Sequence, residues 1–334
     1  MTMKPEQVQA RLDALAKPPG SLARLEALAV ELAVAQQSLT PVTRPRRIVL
    51  FAGDHGVVRQ GVTPWSSTVT TAMVATILKG KASSSALARA QAVNLRIVDA
   101  GIAHPPPEPY PAHYRAEPVA RGTADLSRGA AMTDAEFAQA WNLGADEARR
   151  AVNEGFCLLI AGEMGIGNTT ASACVTHALT GIDAESATGN GAGADAAMRE
   201  VKRRIVADAV ARLDGARDRA AMAAIGGFEI AAMAGFYAEG ARQGATLLLD
   251  GYVTTAAALI AEKLAPGTRR AMIAAHRSAE PGHSAALAWL GLEPVLDWGM
   301  RLGEGTGALT ALPLLDSAAA LLCDVATLAE VLTP

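Results

Sequence analysis

Across residues 5–39, apolar and polar positions alternate at helical spacing, and the period breaks at Lys17-Pro18-Pro19-Gly20. Proline removes a backbone donor and glycine resists ordering. The segment therefore predicts two helices around a tight turn, the second opening at Ser21 as N-cap. Beyond it the pattern changes. Short apolar runs recur at Ile48–Ala52, Leu95–Val98, Phe156–Ala161, Thr246–Leu249 and Ala271–Ala275, each ending in small or polar residues. Runs this short, set between longer helical patterns, suit parallel strands buried on both faces. The expectation is an α/β protein with a doubly wound parallel sheet, whose ligands lie at the carboxyl ends of the strands. Residues 103–130, which include His104-Pro-Pro-Pro-Glu-Pro-Tyr-Pro111, read as an excursion or flap, since adjacent prolines prevent regular pairing. Residues 1–40 together with about 309–334 form a candidate small helical domain, leaving 41–308 for the sheet.

Composition narrows the function classes. The 334 residues are 50% apolar, which argues against disorder, and carry a net charge of −3 with 19% charged residues. Without a basic block, and with only 4% aromatics for base stacking, a nucleic-acid binder is not expected. Cys157, Cys174 and Cys323 lie in apolar stretches with no CxxC pair and read as reduced core residues. Charges throughout Met1–Leu39 leave no signal-peptide core, and Ala220–Tyr237 reads as a buried helix because Glu229 and three glycines interrupt it. The expected protein is soluble and cytoplasmic, without membrane or nucleic-acid partners.

Three glycine-rich segments could carry chemistry. Gly162-Glu-Met-Gly-Ile-Gly-Asn-Thr-Thr170 joins a strand-like run to a helical one, where Asn168, Thr169 or Thr170 could cap the helix. It suits either an anion at the helix N-terminus or simply a tight capped turn, and it lacks the Walker A lysine. Thr188-Gly-Asn-Gly-Ala-Gly193 precedes a helix with Lys202, Arg203 and Arg204. One of these could close over a phosphate, or the three could form a solvated face. In Leu302-Gly-Glu-Gly-Thr-Gly-Ala308, Glu304 could be a general base or an acid resting near a helix dipole. Gly53-Asp-His-Gly56 and His276–His283 add polar groups at strand ends, but neither has a recognisable metal-ligand spacing, and no metal or other cofactor is expected.

Taken in order, several blocks resemble the nicotinate-nucleotide–dimethylbenzimidazole phosphoribosyltransferases of cobalamin lower-ligand assembly. They are Lys17-Pro-Pro-Gly-Ser-Leu22, Phe51-Ala-Gly-Asp-His-Gly-Val57, Gly162–Thr170, Gly226-Gly-Phe-Glu-Ile-Ala231, Leu249-Asp-Gly251, Ala275–His283 and Arg301–Ala308, and they run nearly end to end. The resemblance implies a Rossmann-like sheet with a small helical domain from both chain ends. It also implies a homodimer in which the neighbour helps close the site. The reaction it implies moves 5-phosphoribose from nicotinate mononucleotide to 5,6-dimethylbenzimidazole. By the same resemblance Glu304 is the base. Glu163, Gly165, Gly167, Asn168, Thr169, Lys202 and Gly251 hold the ribose phosphate, and Leu302 packs on the flat acceptor. An exposed glutamate, with a pKa of roughly 4.3, would already be ionised at neutral pH.

One segment departs from the family pattern. Trp65-Ser66 stands where Tyr-Pro is common, and Thr71-Ala72-Met73 where Ala-Gln-Met is common, so the usual glutamine is Ala72. Alanine cannot donate an amide hydrogen bond, and Trp65 reshapes the wall, which opens the choice of acceptor base. The same fold with another acceptor, or a non-catalytic nucleotide-binding paralogue, are the alternatives. A nicotinamide-dependent oxidoreductase is a further rival, and the missing GxGxxG counts against it.

Overall fold

The computed structural model describes residues 3–333. In chain order its first half contains α1 (Pro5–Asp13), α2 (Arg24–Gln36), β1 (Arg46–Gly53), α3 (Thr68–Leu78), α4 (Ser83–Ala90), β2 (Asn94–Gly101), β3 (Tyr114–Ala116), α5 (Asp134–Asn153) and β4 (Leu158–Met164). The second half contains α6 (Asn168–Thr180), α7 (Ala184–Ala187), α8 (Ala196–Ala211), α9 (Arg219–Ile225), α10 (Phe228–Arg242) and β5 (Thr246–Leu249). It continues through α11 (Tyr252–Leu264), β6 (Met272–Ala274), α12 (His283–Leu290), α13 (Thr306–Asp324) and α14 (Leu328–Leu332).

All strand pairs are parallel, and the sheet order is β3-β2-β1-β4-β5-β6. This is the Rossmann order, with the reversal between β1 and β4. Every residue of β1 is buried, and its side chains alternate between two apolar cores. Val49 and Phe51 pack with α5, α6, α10 and α11, whereas Ile48, Leu50 and Ala52 pack with α1, α2, α3 and α13. Such two-sided burial is why the strands read as unbroken apolar runs. On the first face α5 and α10 approach until a Cβ on Gly144 or Gly235 would strike the backbone of Ala232 or Trp141.

The helices from the two chain ends lie together on the second face. Leu12, Leu28, Leu32, Leu309, Leu312 and Leu315 are all essentially buried there and share one apolar cluster with the strands. Each such leucine contributes about 1.5–3 kcal/mol of burial energy, enough to dock the termini onto the sheet. α13 has the length and composition of a membrane span, but most of its apolar residues pack into this core, with Leu314 left exposed.

Several expectations need correction. Ser21 is not a cap: α2 starts at Arg24 after Ala23, and the Glu26 carboxylate accepts the Leu22 N–H at 3.0 Å. His104–Pro111 is a loop, as expected, and the 103–130 excursion also carries the short edge strand β3, which pairs with β2 and which the sequence pattern does not show. Three residues among prolines are too few to show a strand period. Of the cysteines only Cys174 is in the core; Cys157 is half-buried and Cys323 exposed.

Candidate active site

The carboxyl ends of β4, β5 and β6, with Val62–Met73 from the segment after β1, line a cavity of about 730 Å³ beside the point where the strand order reverses. One half of its wall is mostly backbone. Gly165 passes so close to the Gly53 carbonyl that no side chain would fit, and Gly167, at φ +97°, turns the chain into α6. No side chain caps α6, which corrects the expectation for Asn168, Thr169 and Thr170. Asn168 instead turns back to donate to the Glu163 carboxylate, and Thr169 Oγ1 accepts from Lys202 Nζ at 2.8 Å. Gly251 likewise begins α11 with no side-chain cap. Two uncapped helix ends meeting at one wall favour an anion there.

Lys202 reaches this wall from behind. It is buried, and its ammonium donates to Thr169 and to the Gly189 carbonyl (3.2 Å), leaving one of three N–H groups free. Burial lowers its pKa to about 8, although the Glu280 charge opposes the shift. Its neighbours Arg203 and Arg204 pair with Glu200 on the surface instead. Glu280 accepts the Gly191 N–H at 2.9 Å and so holds the 188–193 loop. The loop after β6 is fixed by His283, whose Nδ1 accepts the Ser278 N–H at 2.7 Å, so its Nε2–H donates to Thr255 (2.9 Å). Burial keeps that imidazole neutral, with a pKa near 3.

The other half is walled by side chains. Val69 and Met73, one turn apart on α3, line it with Trp65 and Leu302. Trp65 is 49% and Leu302 58% exposed, and the Trp65 indole donates to the Ala192 carbonyl at 2.8 Å across the mouth. Ser66 and Ala72 do not line the cavity. Ser66 bonds Thr68 at 2.6 Å, and exposed Ala72 sits on the flank of α3 beside Met73, too short to reach in. Asp54 anchors α3: it accepts from Thr70 Oγ1 at 2.6 Å, and that oxygen accepts the Ile166 N–H at 3.2 Å. His55, next to it, makes a fully buried 2.6 Å contact with Glu229. Burial opposes its charge, but the Glu229 carboxylate prevails and its pKa rises.

Glu304 stands where the two halves meet. It is the one side chain in a run of left-handed residues, with φ of +88°, +57° and +74° at Gly303, Glu304 and Gly305. Such a conformation is costly for glutamate and persists only where the surroundings enforce it. The expectation of an exposed, ordinary carboxyl is wrong. Glu304 is only 4% exposed, Ser84 Oγ donates to it at 2.8 Å, and burial raises its pKa. Nearby Glu163, also lining the cavity, is pushed up to about 8 by burial and then by the Asp250 charge, so it is largely protonated at neutral pH.

Sequence reasoning missed Ser84, Asp250 and His276 as parts of this corner. Asp250 and His276 stand out in the sequence only as members of the Leu249-Asp-Gly251 and Ala275–His283 blocks after apolar runs, with no role attached, and Ser84 by nothing local. An anion site at one end and an ionisable carboxyl among apolar walls at the other suit transfer of a phosphorylated group to a flat, neutral acceptor.

Comparison with known proteins agrees with this chemistry. A family profile described as phosphoribosyltransferase (DBI_PRT) matches residues 3–331. The nicotinate-nucleotide–dimethylbenzimidazole phosphoribosyltransferase of Pseudomonas putida is 44% identical over 329 residues, covering 97% of this chain and 93% of its own. The protein of the same name from Thermus thermophilus is 44% identical over 324 residues, with 96% of each chain covered. A crystal structure of CobT from Thermus thermophilus superposes with a TM-score of 0.94 at 43% identity, covering 98% of both chains.

Proposed function

The chain belongs to the nicotinate-nucleotide–dimethylbenzimidazole phosphoribosyltransferase family, and from that premise we propose how its own residues carry out the transfer. The substrates are nicotinate mononucleotide and 5,6-dimethylbenzimidazole, and the products are α-ribazole 5′-phosphate and nicotinate, a step of cobalamin lower-ligand assembly. The observation that carries this reading is the buried Glu304 carboxyl facing an apolar wall across from an uncapped glycine-rich anion site.

The donor phosphate sits against Gly165, Gly167 and Gly251, with Thr169 and the free N–H of Lys202 as donors. A dianion there restores the Lys202 charge that burial weakens. Protonated Glu163 adds no negative charge beside the phosphate and can donate to the ribose, with Asn168 holding its other oxygen. The acceptor ring lies between Leu302 and the Val69–Met73 face of α3. Its unprotonated nitrogen attacks C1′ as the C1′–N bond to the pyridinium breaks, and that electron pair leaves with nicotinate. The proton on the acceptor's other nitrogen passes to Glu304. A raised pKa suits this base, since a carboxylate closer in basicity to the proton's source accepts it more readily.

A homodimer belongs to the same proposal. Trp65 and Leu302 leave apolar surface at the cavity mouth, which a second copy would cover.

The test mixes purified protein with nicotinate mononucleotide and dimethylbenzimidazole, adenine or phenol, and quantifies nicotinate and ribotide by chromatography. Ribotide from dimethylbenzimidazole is the expected result. Transfer to adenine or phenol alone would keep the chemistry and reassign the acceptor. Donor binding without transfer to any of them would overturn the enzyme reading.

A further inference from the structure

The Glu304 loop is held by an acid from a different strand. We propose that Asp250, at the end of β5, is a positioning residue that clasps the start of α13 and thereby fixes and tunes the Glu304 base. The proposal rests on the reading of Glu304 as the base.

The geometry is a two-point clasp. Asp250 Oδ2 accepts the Gly305 N–H at 3.1 Å, and Oδ1 accepts the Ala308 N–H at 3.0 Å. Gly305 is the N-cap of α13 and brings no side chain of its own, so Asp250 supplies from across the sheet what a capping residue would supply locally. The clasp closes directly behind the left-handed run 303–305. That run is boxed in on its other sides. A Cβ on Gly303 would strike Glu163, one on Gly305 would strike Ile48, and one on Gly307 would strike His276. The strained Glu304 backbone thus has contacts around it, and Asp250 makes the hydrogen bonds that oppose its relaxation. Asp250 is 1% exposed, so its charge acts at low screening.

The groups that face this corner are Glu163 from β4, His276 after β6 at 3.7 Å from Asp250, Tyr237 from α10 and the Ser84 hydroxyl from α4. After burial, the Asp250 charge is the remaining influence that raises the Glu304 pKa, while Ser84 lowers it. Asp250 therefore does two things to one residue: it sets where the carboxyl sits and makes it more basic.

The experiment compares wild type, Asp250→Asn, Glu304→Gln and the double variant. Single-turnover rates are measured across pH, and nicotinate mononucleotide binding by calorimetry. In Asp250→Asn the amide NH₂ must face one of the two N–H groups, so the clasp is half broken. The expected result is a turnover drop of roughly 10- to 100-fold, with donor binding weakened much less than turnover because Glu163 loses only the smaller, Asp250 part of what keeps it protonated. The acid limb of the rate profile should also move to lower pH, because a repelling charge is gone. In the Glu304→Gln background the same change should cost nothing further. Asp250→Ser, which keeps an acceptor without the charge, asks the same question if Asn disturbs folding. A drop with an unmoved acid limb, or full additivity with Glu304→Gln, would overturn the proposal and leave Asp250 a packing residue. If Glu304→Gln itself keeps full turnover, the base reading fails instead, so the two failures are distinct.

Discussion

The two halves of the cavity are made of different material. The donor half is backbone: Gly165, Gly167 and Gly251 and two uncapped helix ends, with Lys202 behind them. The acceptor half is side chains: Val69 and Met73 on α3, a helix pinned through Thr70 and Asp54, with Trp65 and Leu302 from the loops beside it. A phosphate is the same in every nucleotide, so its half can be rigid and almost free of side-chain detail. A flat apolar ring has few polar handles, so its half must select by shape, and shape is set by replaceable side chains.

The comparison breaks most sharply at Glu304. Glu304→Gln should lower turnover by about 10²- to 10⁴-fold while nicotinate mononucleotide binds as in wild type, read by single-turnover kinetics and calorimetry. If donor binding fell as far as turnover, the two halves would not be separable. Next, Lys202→Ala should weaken the phosphorylated donor by roughly 10- to 100-fold and leave dimethylbenzimidazole affinity unchanged, since a charge-assisted bond is lost on one side only. Equal losses for both ligands would remove the phosphate role.

Smaller effects sharpen the contrast. Ala72→Gln adds reach to the α3 flank and should change the ratio of rates for dimethylbenzimidazole and adenine by up to about tenfold, with the donor constant unchanged. No change in that ratio would show that the flank does not touch the acceptor. The smallest effect is on stability. Glu163 is protonated in the fold with a pKa near 8, against 4.5 when free, so it favours the fold fully at low pH. That contribution drains away as pH rises through about 8. Wild type should therefore lose a few degrees of Tm relative to Glu163→Gln between those two pH values, and parallel melting curves would contradict the shifted carboxyl.

Much of the donor half was legible in the chain. Buried parallel strands produce short apolar runs, and backbone that must approach a ligand requires glycine, so both leave local marks. The acceptor half was less legible because its chemistry is assembled from afar. Nothing near Ser84 shows that it will meet Glu304, 220 residues on. Nor does Leu249-Asp250-Gly251 reveal that its carboxylate serves the N-terminus of α13. The exposed, ordinary Glu304 was the natural expectation for an acid between glycines, and only packing of α4 and the sheet buries it. Caps were misjudged for a related reason. Ser21 and Asn168 are good capping types, but Ser21 lies before the true helix start and Asn168 is drawn away by Glu163.

The left-handed run at 303–305 has a consequence for redesign. A side chain at Gly303 or Gly305 would meet both backbone strain and a collision, with Glu163 in one case and Ile48 in the other. The proton acceptor therefore cannot be slid one position along the chain, nor its loop lengthened without unseating α13. Anyone retargeting this enzyme to a new acceptor must carve the cavity around an immovable carboxyl, working from Trp65 and the α3 flank. Acceptors whose acidic hydrogen lies elsewhere in the ring must be brought to it by rotating the ligand.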